Sequence, residues 1–255
     1  MALILVAHGT RRAAGVEMVE RLAAQVSTLV HDAVDVAFVD VVGPIPSEVL
    51  MRVRAADRAA IVVPAFLSRG YHVQVDLPVH VQSSGHPNVI VTPALGPSGQ
   101  VARIVGDQLV KSGWRPGDSV ILAAAGTSDP GARADLHTTA TLVSALTGSR
   151  VSLAFAATGG PRLAEAVHRA RARRPARRVV VASYLLADGL FQQRLHSCGA
   201  DLVSEPLGTH PGLARLVANR FRRALPPVLA PTARHASRRS SPHQPAHGRA
   251  VRSTA

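Results

Sequence analysis

Two histidines follow apolar runs at the points where a parallel sheet presents ligand groups. His8 closes the run ALILVAH and opens a His-Gly-Thr turn, and His72 ends the segment Arg-Gly-Tyr-His that follows AAIVVPAF. An imidazole pair suits a borderline divalent ion such as iron, cobalt or nickel, and a neutral imidazole also accepts a proton. Their wide separation makes this a site assembled by the fold, unlike a local His-Glu-x-x-His motif. Asp40, after VDVAFV, offers a carboxylate as a third ligand. Asp76 lies four residues beyond His72 and orients its ring if the segment is helical, although a helix-capping or surface role is equally open. Arg11, Arg12 and Arg69 flank the two histidines, where planar guanidinium forks can grip carboxylates. Each alone also reads as an ordinary surface arginine. Gly9, Gly70 and Tyr71 are expected to shape the turns, glycine letting a flat ligand approach the backbone.

The elements that must position these groups are short apolar runs alternating with amphipathic stretches. ALILVAH, VDVAFVD, AAIVVPAF and NVIVTPA form one set, and SVILAAA, RVSLAFA, RVVVASYLL and ADLVSEP a second. Continuous apolar strands between helices require a parallel sheet covered on both faces. The second set also copies the first: AHGT matches AAGT, PAFLSRGYHVQVDL matches SYLLADGLFQQRL, and LGPSGQVARIV matches LGTHPGLARLV. The expected fold is therefore α/β, with two homologous lobes, each a mainly four-stranded parallel sheet flanked by helices, and an active cleft between them. The lobes are placed at residues 1–113 and 114–225, joined near Lys111-Ser-Gly-Trp-Arg-Pro-Gly. Ligands in open sheets of this kind bind at the carboxyl ends of the strands. Against this common scaffold the halves differ at the histidines: His8 becomes Ala125 and His72 becomes Phe191. Loss of both in one half assigns the chemistry to the other.

Composition narrows the setting. Cys198 is the only cysteine, which excludes an intrachain disulfide framework, a cysteine-rich zinc site and a dithiol redox pair, and points to the cytoplasm. The opening apolar run lacks a basic leader and a cleavage site and is expected to be a buried strand. No apolar run approaches the roughly 20 residues needed to cross a bilayer. The net charge of +13 is carried almost wholly by arginine. A basic body concentrates a substrate rich in carboxylates, and arginine-favouring codon usage is the bland alternative. Nucleic acid is a poor fit, because aromatics are 3% of the chain and no stacking ladder interleaves the arginines. Residues 226–255, rich in Pro, Ser, Ala and Arg, are expected to form a disordered basic tail, with His235, His243 and His247 solvated.

VAHGTRR, AFVDVVGPIPSEVL, PAFLSRGYHVQVDLP, SYLLADGLFQQRL and EPLGTHPGLARLV resemble the sirohydrochlorin chelatase family, the class II chelatases of siroheme and cobalamin synthesis, over residues 2–225. The resemblance implies insertion of Fe2+ or Co2+, with Ni2+ accepted in vitro, into the acidic tetrapyrrole sirohydrochlorin. It implies neither ATP nor a cofactor beyond the metal. It also implies that His8 and His72 are the metal and catalytic pair. The text FVDVVGP departs from the family's commoner Glu-bearing pattern at Asp40. Two rivals stand beside this reading. A metal or tetrapyrrole carrier would use the same cleft without turnover. A histidine phosphatase would need an arginine before the histidine, where Ala7 stands. GPSG at 96–99 lacks the Lys-Ser/Thr ending of a nucleotide-binding loop. Oligomeric state is not legible, and a two-lobed monomer can supply the cleft alone.

Overall fold

A computed structural model describes residues 1–225; the expectations for the tail, its three histidines included, lie outside the described residues. In the first half, β1 (Ala2–Ala7), β2 (Val34–Phe38), β3 (Ala60–Pro64) and β4 (Val89–Val91) form a parallel sheet in the order β2-β1-β3-β4. In the second, β5 (Ser119–Ala124), β6 (Val151–Phe155), β7 (Val179–Tyr184) and β8 (Leu202–Val203) repeat that topology as β6-β5-β7-β8. All eight strands fall within the runs read from the sequence. The central strands β1, β3 and β7 are buried at every position, which explains why their sequences do not alternate.

Helices α1 (Ala13–Val30), α2 (Pro46–Ala55), α3 (Leu77–Ser83) and α4 (Gly99–Lys111) belong to the first half in sequence. Their counterparts are α5 (Pro130–Thr147), α6 (Leu163–Arg173), α7 (Leu190–His196) and α8 (Pro211–Ala224). Local signals set several ends. Asp129 caps α5 by accepting from the Ala132 amide at 2.6 Å, Pro130 follows at the first helical position, and Gly148 ends the helix in the left-handed region. Ser98 caps α4 in the same way.

Three apolar clusters stack the layers. One packs the outer face of the first sheet under α2 and α3, one packs the outer face of the second under α6 and α7, and the largest lies between the sheets. Within that central layer the last helix of each half crosses over. Helix α8 packs on α1 and β3, and α4 packs on α5 and β7. Division at residue 113 by sequence thus leaves α4 on one side while its packing partners lie on the other. Residues 1–225 accordingly form a single contact unit. No helix among the described residues is long and apolar enough to cross a membrane.

Candidate metal centre

In the first sheet β1 lies between β2 and β3, so the chain leaves β1 to one side and returns on the other. This switch point is where an open parallel sheet forms its crevice. His8 follows β1 and His72 follows β3, so the two meet there with ring centroids 4.4 Å apart and planes at 85°. The Nδ1 of His8 lies 3.1 Å from the carbonyl oxygen of Gly9, a contact that suits the tautomer with its proton on Nδ1, since a carbonyl can only accept. The Nδ1 of His72 lies 2.5 Å from Oδ2 of Asp76. With Nδ1 as donor in both contacts, each Nε2 keeps a free lone pair, the tautomer a metal-binding imidazole needs.

Asp76 reaches His72 because residues His72–Asp76 form one π-helical turn before α3. Phe66 stacks near His72, with centroids 6.2 Å apart, and Tyr71 meets it edge-on. The turn at His8 is held by Gly9 at φ +97°, where an added Cβ would lie 2.1 Å from the carbonyl oxygen of Asp40. Space makes no such demand at Gly70, whose added Cβ would rest 3.6 Å from Ala132, an ordinary contact.

The backbone of Asp40 is tied to this turn, its amide donating to the His8 carbonyl at 3.0 Å. Its carboxylate is exposed and accepts from the Val41 amide at 2.7 Å. Among the described residues no three His, Cys, Asp or Glu side chains gather closely enough to hold an ion.

The repeat identifies further positions. The Ala157 amide bonds to the Ala125 carbonyl as that of Asp40 bonds to His8. The second half therefore carries Ala125, Ala157, Phe191 and Leu195 where the first carries His8, Asp40, His72 and Asp76. At these four positions the groups with acid-base or ligand chemistry all stand in the first half.

The three arginines diverge. Arg11 is exposed. Arg12 donates to Oε1 of Gln193 at 3.0 Å, bringing α7 of the second half against the entry to α1. Helix α1 has no side-chain cap at Arg12, whereas Asp129 caps α5 at the equivalent place, so the first half leaves helix amides open beside two guanidinium groups. Arg69, expected to grip a ligand, is instead engaged with Asp135 of α5. Its Nε and Nη2 donate to the two carboxylate oxygens at 3.0 and 2.6 Å, and its backbone amide adds a third bond at 2.8 Å. Burial pushes the Asp135 carboxyl up, but the hydrogen bonds and charge of Arg69 more than reverse this and hold it below the ordinary carboxylate range.

Sequence reasoning missed Gln193 and Asp135. One signal for Asp135 existed: it occupies the apolar stripe of α5 between Ala132 and Leu136, where a lone acid requires a cation. Nothing in the sequence marks Gln193. Two cavities of about 460 Å3 lie elsewhere, and the histidine pair lines neither.

A sequence model of CbiX matches residues 2–112 and again 119–224. The chain belongs to the CbiX family. Two matches in tandem also account for the internal repeat. No curated protein matches the chain by sequence. Among solved structures, the fold is similar to SirB from Bacillus subtilis with Fe3+ (20% identity, TM-score 0.75), covering 87% of this chain and 94% of that one. SirB from Bacillus subtilis subspecies spizizenii, a sirohydrochlorin chelatase in complex with cobalt, gives the same identity and coverage with a TM-score of 0.69. A CbiX described as the terminal enzyme of siroheme biosynthesis in denitrifying bacteria aligns at 19% identity and TM-score 0.66, covering 89% of this chain and all of that one. These likenesses establish that the two-lobed architecture of the CbiX family is a chelatase fold.

Proposed function

We propose that the chain is a sirohydrochlorin chelatase, which exchanges two pyrrolic protons of the acidic tetrapyrrole for one divalent transition metal. The observation that carries this reading is the His8–His72 pair, with both Nδ1 atoms engaged and both Nε2 atoms available at the switch point of the first sheet. Family membership and the bound Fe3+ and cobalt of the SirB structures support it. The metal is a substrate, so its site must release it. Two imidazoles, completed by water or by the nearby Asp40 carboxylate, hold an ion more loosely than a closed four-ligand cage.

In this reading His8 and His72 hold the partly dehydrated ion over the ring, and the leaving protons pass to an imidazole or a neighbouring carboxylate. Asp76 fixes the orientation of His72. Arg11, Arg12 and the open amides of α1 meet the peripheral carboxylates, aided by the wide positive field of the chain. Arg69 is not among these grips, because Asp135 occupies its fork. Tyr71, exposed beside His72, and Leu190 and Phe191 of α7 offer apolar surface to the flat macrocycle. No step needs ATP, since metal binding drives proton release. Fe2+ and Co2+ both suit the imidazole pair, and a cytoplasmic setting fits a chain with one cysteine.

Anaerobic incubation of the purified protein with sirohydrochlorin and Fe2+ or Co2+, followed by absorbance, tests this. We expect protein-dependent insertion that His8→Ala and His72→Ala each abolish while the fold persists. Tetrapyrrole or metal binding without faster insertion would identify a carrier and overturn the enzymatic reading.

A further inference from the structure

At the opposite end of the second sheet from the strand ends that form the switch point, a cavity of about 460 Å3 opens at the amino ends of β5 and β6. Arg150, Arg173, Arg174 and Arg177 line it, together with the serines Ser119, Ser149 and Ser152. The nearby carboxylates are already taken. Asp118, in the wall, receives Nε and Nη2 of Arg178 at 3.1 and 2.7 Å, and Asp201 receives Arg171 at 3.0 Å. None of the four lining guanidinium groups meets a carboxylate among the described residues.

Charge arithmetic decides whether this needs a partner. Helices α5 and α6 both end at the cavity, through Gly148 and Arg173, and each carboxyl terminus presents about half a negative charge. Those two ends offset about one of the four guanidinium charges, and the Asp118–Arg178 pair is neutral. An excess of about three positive charges is left around one concavity. The repeat supplies an internal comparison: Arg58 stands where Arg177 does, two residues before the start of β3 and β7, yet its Nη2 is spent on the Met1 carbonyl at 2.7 Å. The second half has kept its arginine facing an open hollow.

We infer that this cavity binds a small polyanion, recognised through clustered anionic oxygens of an oligophosphate or a polycarboxylate. Guanidinium forks meet both groups in bidentate fashion, and the serine hydroxyls can complete the oxygen shell. The site is separate from the histidine pair and does not depend on the proposed chemistry there.

Isothermal titration calorimetry of the full chain at low salt tests it, with tripolyphosphate and citrate as probes. The Arg173→Ser/Arg177→Ser variant is compared with wild type and with Arg52→Ser, an exposed arginine of α2 that does not line the cavity. Both replaced side chains are exposed, and thermal melts verify the fold. We expect saturable binding of one probe at one site per chain. The double variant should weaken it at least about tenfold, while Arg52→Ser leaves it unchanged. The stronger probe identifies phosphate or carboxylate as the group read. Equal affinity in the double variant, several weak sites per chain, or no saturable heat with either probe would overturn the inference. So would a single-stranded oligonucleotide that binds through these arginines when neither small probe does, since that outcome makes the patch a nucleic-acid surface.

Discussion

At the residue scale the site turns on a hydrogen bond that is not itself a metal contact. Asp76 lies 2.5 Å from Nδ1 of His72, a contact that orients the ring and leaves Nε2 as the atom for a metal. Replacing a carboxylate that orients a metal-binding imidazole costs about 10–100-fold in metal affinity or activity. Asp76→Asn should therefore lower Co2+ affinity in that range with little change in melting temperature. An Asp76→Asn protein with wild-type Co2+ affinity would make the contact incidental. Asp76 is legible in the sequence as a residue four places from His72, but whether the two meet depends on the turn between them. Arg69 shows the opposite limit. Its place before Gly70 puts it beside the site, yet nothing in its local sequence reveals that Asp135, far along the chain, occupies its fork.

At the element scale the strand-end turns hold the chemistry, and their glycines are not equivalent. Gly9→Ala combines a left-handed φ with a Cβ 2.1 Å from the Asp40 carbonyl, so the turn must move. Backbone strain of this kind costs about 1–3 kcal/mol, and the shift would displace His8. Urea unfolding should show that loss together with lost activity, whereas Gly70→Ala should change stability by less than about 1 kcal/mol. Between elements, Asp135→Asn removes a buried carboxylate from Arg69. The guanidinium is largely exposed, so its share of the loss is screened, and we expect a destabilisation of about 1–3 kcal/mol. The sign of the pH effect follows from the lowered Asp135 value. A carboxyl held below its unfolded value of about 3.9 contributes stability above that pH, and this contribution disappears as pH falls through the lower folded value. The gap in stability between wild type and Asp135→Asn should thus be full at pH 6 and close on acidification below about pH 4. A gap unchanged down to acid unfolding would assign the effect to packing.

At the scale of the whole molecule the two halves are repeats in sequence but not independent bodies. Helix α4 lies against α5 and β7, and α8 against α1 and β3, so each half covers its partner's sheet. A fragment of residues 1–113 would lose α8 from the inner face of its sheet and leave α4 without its packing partners. It should lack a cooperative thermal transition by calorimetry, and a sharp transition in that fragment would contradict the shared core. The sequence by itself determined the class, the eight strands, the repeat and the half that carries both candidate histidines. These are legible because strand burial, helix periodicity and substitution between two copies are all written locally. Tertiary structure alone decided that the last helices cross over, that His8 and His72 face each other at 4.4 Å, and that Arg69 serves Asp135. Each of these is a choice of partner among side chains remote in sequence, and packing between layers makes that choice, which no local pattern of residues encodes.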